Sequence, residues 1–160
     1  MNNRPPTVLI VEDSESKRAS IETVLEREFP GVIIKRALSV KSAIDSLQVT
    51  IPEMVIADMS LPTFDIETRE RGGTPRPFGG IEVFETLERN EIIVPVLVVT
   101  SYPEISDGKQ SMGLLELSER LKSEFPDMFV GVVYFDSAYS KWEHEIMSYF
   151  SKVLKGHNGT

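Results

Sequence analysis

The sequence predicts an α/β protein in which a parallel sheet is covered by helices on both faces. Five short apolar runs, rich in β-branched residues, recur along the chain. Between them lie segments whose apolar residues fall at helical spacing. Turn signals and polar residues separate the two kinds of segment. Strand and helix alternate five times, which is the pattern of crossover connections between parallel strands.

Thr7 to Val11 reads as the first strand, followed by Glu12, Asp13 and Ser14. Asp13 or Ser14 can cap the next helix, whose stripe is Ile21, Val24, Leu25 and Phe29 before Pro30-Gly31 stops it. Val32-Ile33-Ile34 is the second strand, and Ser39 caps a short helix with Val40, Ala43, Ile44 and Leu47 inside. Met54 to Ala57 is the third strand and ends at Asp58. The stretch from Thr63 to Gly79 has no clear period; it carries Arg69, Arg71 and Arg76 among acidic residues, with Gly72-Gly73 and Pro75-Arg76-Pro77. A connection of that kind is usually functional or disordered. Gly80 opens a helix with Ile81, Phe84 and Leu87 facing inward, and Val94 to Val99 is the fourth strand, ending at Thr100-Ser101. A second irregular piece, Tyr102 to Gln110, leads to a helix from about Ser111 to Phe125. Phe129 to Phe135 is the fifth strand, and a last amphipathic helix runs from about Ser137 to Leu154, leaving a loose tail from Gly156.

Length and composition narrow the function classes. A chain of 160 residues fits one domain with a core of about residues 6–155. The net charge of −8 argues against nucleic-acid binding, which needs a basic face, although Arg69, Arg71 and Arg76 form a local cluster. With no cysteine there is no disulfide, thiolate zinc site or cysteine nucleophile. The start lacks a signal-peptide core, and no apolar run can span a bilayer, so the expected location is the cytoplasm.

The chemistry concentrates at strand ends. Apolar runs deliver Glu12-Asp13 and Asp58 to one sheet edge, and convergent carboxylates suit a hard cation. In open α/β sheets ligands bind at that carboxyl edge. Taken singly, Glu12 and Asp13 can be helix caps, Asp58 an exposed strand end and Thr100 an ordinary threonine. Asp65, Glu67 and Asp107 read as solvated loop charges, and His144 and His157 as bystanders.

Val8-Leu9-Ile10-Val11-Glu12-Asp13, Val55-Ile56-Ala57-Asp58-Met59-Ser60-Leu61-Pro62, Gly80 and Val96 to Ser101 together resemble the receiver domain of two-component response regulators. The resemblance covers nearly the whole chain in the right order. It implies a flavodoxin-like (βα)5 three-layer sandwich with strand order 2-1-3-4-5 and the site at the switch point. It also implies that Asp58 accepts a phosphoryl group from a histidine kinase or phosphotransfer protein. Glu12, Asp13, Asp58 and the Ser60 backbone carbonyl would hold Mg²⁺, with Thr100 as the switch hydroxyl and Tyr134 as the aromatic switch. Asp58 and Thr100 are then the catalytic positions. The chain would be no enzyme in its own right, and with no output domain following it would signal by contact with an output protein. Receivers often dimerise through their fourth and fifth helices, which makes a homodimer an expectation too.

Three departures from that pattern stand out. The family's lysine at the end of the fifth strand, usually followed by proline, is absent: Phe135, Asp136 and Ser137 occupy the candidate positions, with Lys109 and Lys141 as the nearest substitutes. Residues 63–79 form one insertion and about 102–113 a second, and both are expected beside the Asp58 edge. These departures favour an alternative, a phosphorylation-independent pseudo-receiver that acts as a protein-interaction module. A phosphohydrolase working through an aspartyl-phosphate ranks lower, because Asp58-Met59-Ser60 lacks a second acid two residues on and no glycine-rich phosphate loop is present.

Overall fold

The computed structural model describes residues 4–65 and 76–158. Five parallel strands form one sheet: β1 (Thr7–Val11), β2 (Ile33–Ala37), β3 (Met54–Ala57), β4 (Val96–Thr100) and β7 (Phe129–Tyr134), in the order β2-β1-β3-β4-β7. The expected order and flavodoxin-like architecture are thus present. Helices α1 (Glu15–Glu28), α2 (Val40–Val49), α3 (Gly79–Arg89), α4 (Leu114–Glu124) and α5 (Lys141–Asn158) cover the sheet.

The pleat divides the strands between two cores, since alternate residues face opposite sides. Val8 and Ile10, Met54 and Ile56, and Leu97 and Val99 pack with Ile21 and Leu25 of α1 and Trp142, Ile146 and Phe150 of α5. Leu9 and Val11, Val55 and Ala57, and Val96 and Val98 pack with α2, α3 and α4. Each central strand is buried along its length, which is why these runs are continuously apolar rather than alternating.

Several boundaries differ from the sequence expectations. Strand β2 is shifted forward, to Ile33–Ala37, and α5 starts at Lys141 and continues to Asn158 instead of leaving a loose tail at Gly156. The piece after Thr100 is not irregular: β5 (Glu104–Ser106) and β6 (Ser111–Gly113) form an antiparallel hairpin, so α4 begins at Leu114. Its turn is set by Asp107, whose Oδ1 accepts the Lys109 and Gln110 amides, and by Gly108 at φ +88°. Those two amides hold the exposed Asp107 carboxyl below its usual range.

The first insertion is pinned at its described ends. Leu61 and Arg76 exchange backbone hydrogen bonds of 3.1 and 3.0 Å in an isolated antiparallel bridge. The Pro62 and Thr63 carbonyls accept the Val40 and Lys41 amides, satisfying two of the free donors at the start of α2. Asp65 is not merely solvated: its Oδ1 accepts the Ser39 hydroxyl at 2.6 Å. Arg76 pairs with Glu82, whereas Glu67, Arg69 and Arg71 lie outside the described residues.

Candidate functional site

The carboxylates meet because β1 and β3 are adjacent and in register, with Val11 opposite Ala57. The next residue on each strand is Glu12 or Asp58, and the Asp58 amide donates to the Val11 carbonyl at 3.1 Å. Following the alternation past the strand ends, Glu12 continues the face of Val8 and Ile10, and Asp58 that of Ile56. Both therefore face α1 rather than the α2–α4 side.

Both are buried, at 2% exposure for Glu12 and 7% for Asp58. Asp58 Oδ1 accepts the Met59 amide at 2.7 Å and the Ser60 amide at 3.4 Å. Glu12 Oε2 accepts the Ser14 amide at 3.1 Å, which steadies the loop into α1. Ser14 is the cap itself, its hydroxyl accepting the Lys17 amide. Glu12 Oε1 is buried without a hydrogen bond of good geometry. Burial raises the Glu12 carboxyl from 4.5 to about 7, with Lys17 opposing the shift and the Asp58 charge adding to it.

Asp13, half-buried, completes the group: Glu12, Asp13 and Asp58 each offer a ligand atom, all within 4.8 Å of one another. Three convergent carboxylates, two of them buried, suit a small divalent cation. Ser60 follows on the same loop and is also half-buried. Thr100 is fully buried at the end of β4, and its Oγ1 accepts the Tyr102 amide at 3.2 Å. Tyr134 pairs with Thr100 across β4 and β7 and is 42% exposed. A cavity of about 270 Å³ beside this edge is lined by Met59, Ser60, Pro77 and Thr100 together with Tyr102, Glu104, Ile105 and Ser106. Strand β5 of the hairpin thus supplies part of the wall of this cavity.

One residue escaped the sequence reading. Lys17, in the first turn of α1, is buried and holds its ammonium 2.7 Å from Glu12 Oε1, 3.2 Å from Asp58 Oδ2 and 2.8 Å from the Val99 carbonyl. The substitutes considered from sequence are elsewhere: Lys109 is in the exposed hairpin turn and Lys141 is exposed at the start of α5, 3.8 Å from Glu145. The signal for Lys17 was its spacing. It lies in register with Ile21, Val24 and Leu25 on the buried stripe, where a solvent-facing lysine has no place.

The chain is similar to known proteins over most of its length. The family model for the response regulator receiver domain matches residues 8–121. The Detocs response regulatory protein DtcB of Vibrio alginolyticus is 30% identical over 145 residues, covering 89% of this chain and 97% of that protein. The uncharacterized protein y4jR of Sinorhizobium fredii is 28% identical over 139 residues, covering 86% and 92%. Among solved structures, a two-component response regulator of the LuxR family from Aurantimonas superposes with a TM-score of 0.64 at 19% identity, covering 95% of this chain and 86% of that one. The Francisella response regulator 1452 receiver domain gives 0.61 at 15% identity, covering 94% and 98%.

Proposed function

From the premise that this chain belongs to the response regulator receiver family, we propose that it is a phosphoacceptor module modified on Asp58 by a partner's phosphohistidine. The observation that carries the reading is the buried Asp58 carboxylate at the sheet edge, grouped with Glu12 and Asp13. Asp58 Oδ1 is held by two backbone amides, so Oδ2, which no backbone amide holds and which faces the Lys17 ammonium, is the attacking oxygen. Its electron pair forms the new O–P bond while the P–N bond of the donor breaks, and that pair departs with the imidazole. The product is an acyl phosphate on Asp58.

Glu12, Asp13, Asp58 and the Ser60 carbonyl would hold Mg²⁺, which when bound neutralises charge on the phosphoryl oxygens. Thr100 would answer the new charge through its hydroxyl, and the exposed Tyr134 beside it would carry the change outward. Output then passes by protein–protein contact, through the face that includes Tyr134 and the hairpin. Cytoplasmic location and a partner kinase belong to the same reading, and among the described residues no helix is long and apolar enough to cross a membrane.

A second reading, a pseudo-receiver that binds without being phosphorylated, is favoured by Phe135, an aromatic residue at the end of β7. Intact mass after incubation with acetyl phosphate and Mg²⁺ separates the two. One Mg²⁺-dependent phosphoryl adduct on wild type and none on Asp58→Asn is expected. No adduct on wild type, beside a competent receiver as control, would select the pseudo-receiver.

A further inference from the structure

A buried lysine is rare unless its charge is matched, and the match around Lys17 has a particular form. An ammonium offers three donors, and Lys17 is faced by three oxygens from three strand ends: Glu12 after β1, Asp58 after β3 and Val99 at the end of β4. The Phe135 ring, just past β7, lies 5.9 Å from the same nitrogen and closes the fourth side. The pleat puts all of these groups on one face, because Val99 and Phe135 belong to the core shared with α1. Helical side chains lean toward the helix N-terminus, so a first-turn lysine of α1 is aimed at this sheet edge.

The contact with Asp58 is made to Oδ2, the oxygen that the backbone amides leave free. Phosphorylation of Oδ2, forming the acyl phosphate, removes its charge and places the phosphoryl oxygens, with more charge, next to the ammonium. The pair with Oδ2 is then lost and a stronger one is within reach, while the Val99 carbonyl still holds the nitrogen.

We propose that Lys17 is a catalytic residue of this chain, whose ammonium pairs with a phosphoryl oxygen on Asp58, reaching it from α1 rather than from the end of β7. The proposal rests on Asp58 being the acceptor. Because the cation comes from α1 and is tied to the residue before Thr100, the charge change at Asp58 is felt by α1 and β4 together.

The test uses the full chain and two probes, acetyl phosphate and beryllium fluoride, each with Mg²⁺. On wild type, the ¹⁵N signal of the Lys17 ammonium should shift when beryllium fluoride saturates the site. Lys17→Met should label about a hundredfold more slowly than wild type, as when one fixed donor is lost from a charged transition state. Lys17→Arg should recover part of that loss. A Lys17 signal that stays unmoved at saturation would overturn the proposal, and this measurement needs no variant to fold. So would a folded Lys17→Met, checked by thermal melting, that labels at the wild-type rate. Failure of wild type to take up either probe would instead remove Asp58 as acceptor, and the proposal with it.

Discussion

Gly80 leaves no room for a side chain against Asp58: a Cβ there would run into the Asp58 carbonyl oxygen and the Met59 backbone. The Gly80 amide meanwhile donates to the Met59 carbonyl at 2.8 Å, so the start of α3 is fastened to the loop that carries Asp58. The requirement is for closeness rather than for an unusual backbone angle.

Gly80→Ala should therefore act on the site through packing. Backbone faces backbone, so the clash cannot be relieved by a rotamer change. The variant should lose roughly 1–3 kcal/mol of stability, the usual cost of overpacking a tight core. Urea denaturation measures the loss, and intact-mass labelling should show slower phosphorylation of the folded fraction. Wild-type stability in Gly80→Ala would mean that α3 can move away from Asp58 freely.

Glu12 gives a pH signature. Its folded value, about 7, lies above the ordinary 4.5, so the native state holds the proton more tightly than the unfolded chain. Stability from this group is present below about 4.5, falls as pH rises between about 4.5 and 7, and stays lost above that. The metal-free protein should lose roughly 3 kcal/mol at most across that window through this carboxyl. Glu12→Gln should flatten that part of the profile, measured by urea denaturation at pH 5 and pH 8. An unchanged slope in the variant would assign the effect to another group. Mg²⁺ binding, which needs the carboxylate, should tighten as pH rises through about 7, with proton uptake or release followed by calorimetry in two buffers.

Ser39 ties α2 to the start of the first insertion. Its hydroxyl accepts from the Ser42 amide, the Ser42 hydroxyl accepts from the Ser39 amide, and the Ser39 hydroxyl donates to Asp65 Oδ1. Ser39→Ala should cost about 1–2 kcal/mol, the range for losing a helix cap, with the upper end expected because the residue is fully buried. Asp65→Asn keeps the cap and should cost less. Equal losses in the two variants would show that the Asp65 contact, not the cap, is what matters.

Periodicity made the sheet and its helices legible, because the buried strands are long apolar runs and the helix stripes are regular. Asp58, Glu12 and Asp13 were legible for the same reason: each follows such a run. The β5–β6 hairpin was not, because its strands are three residues each and mostly polar, although Asp107-Gly108 is a recognised turn pair. Lys17 was missed on chemistry rather than pattern. A charged residue in a first turn reads as solvent-facing, and only the three oxygens gathered from distant strand ends make its burial tolerable. Such a cage is a property of the assembled edge, and no window of sequence contains it.

The bridge between Leu61 and Arg76 clasps the first insertion at its described ends, on the loop that follows Asp58. Lengthening a clasped branch adds little closure entropy, about 0.6 kcal/mol per doubling. A fluorescent domain spliced into residues 66–75 should therefore leave the sheet in register. The receiver thus carries, on the loop that follows Asp58, a natural graft point for an optical sensor.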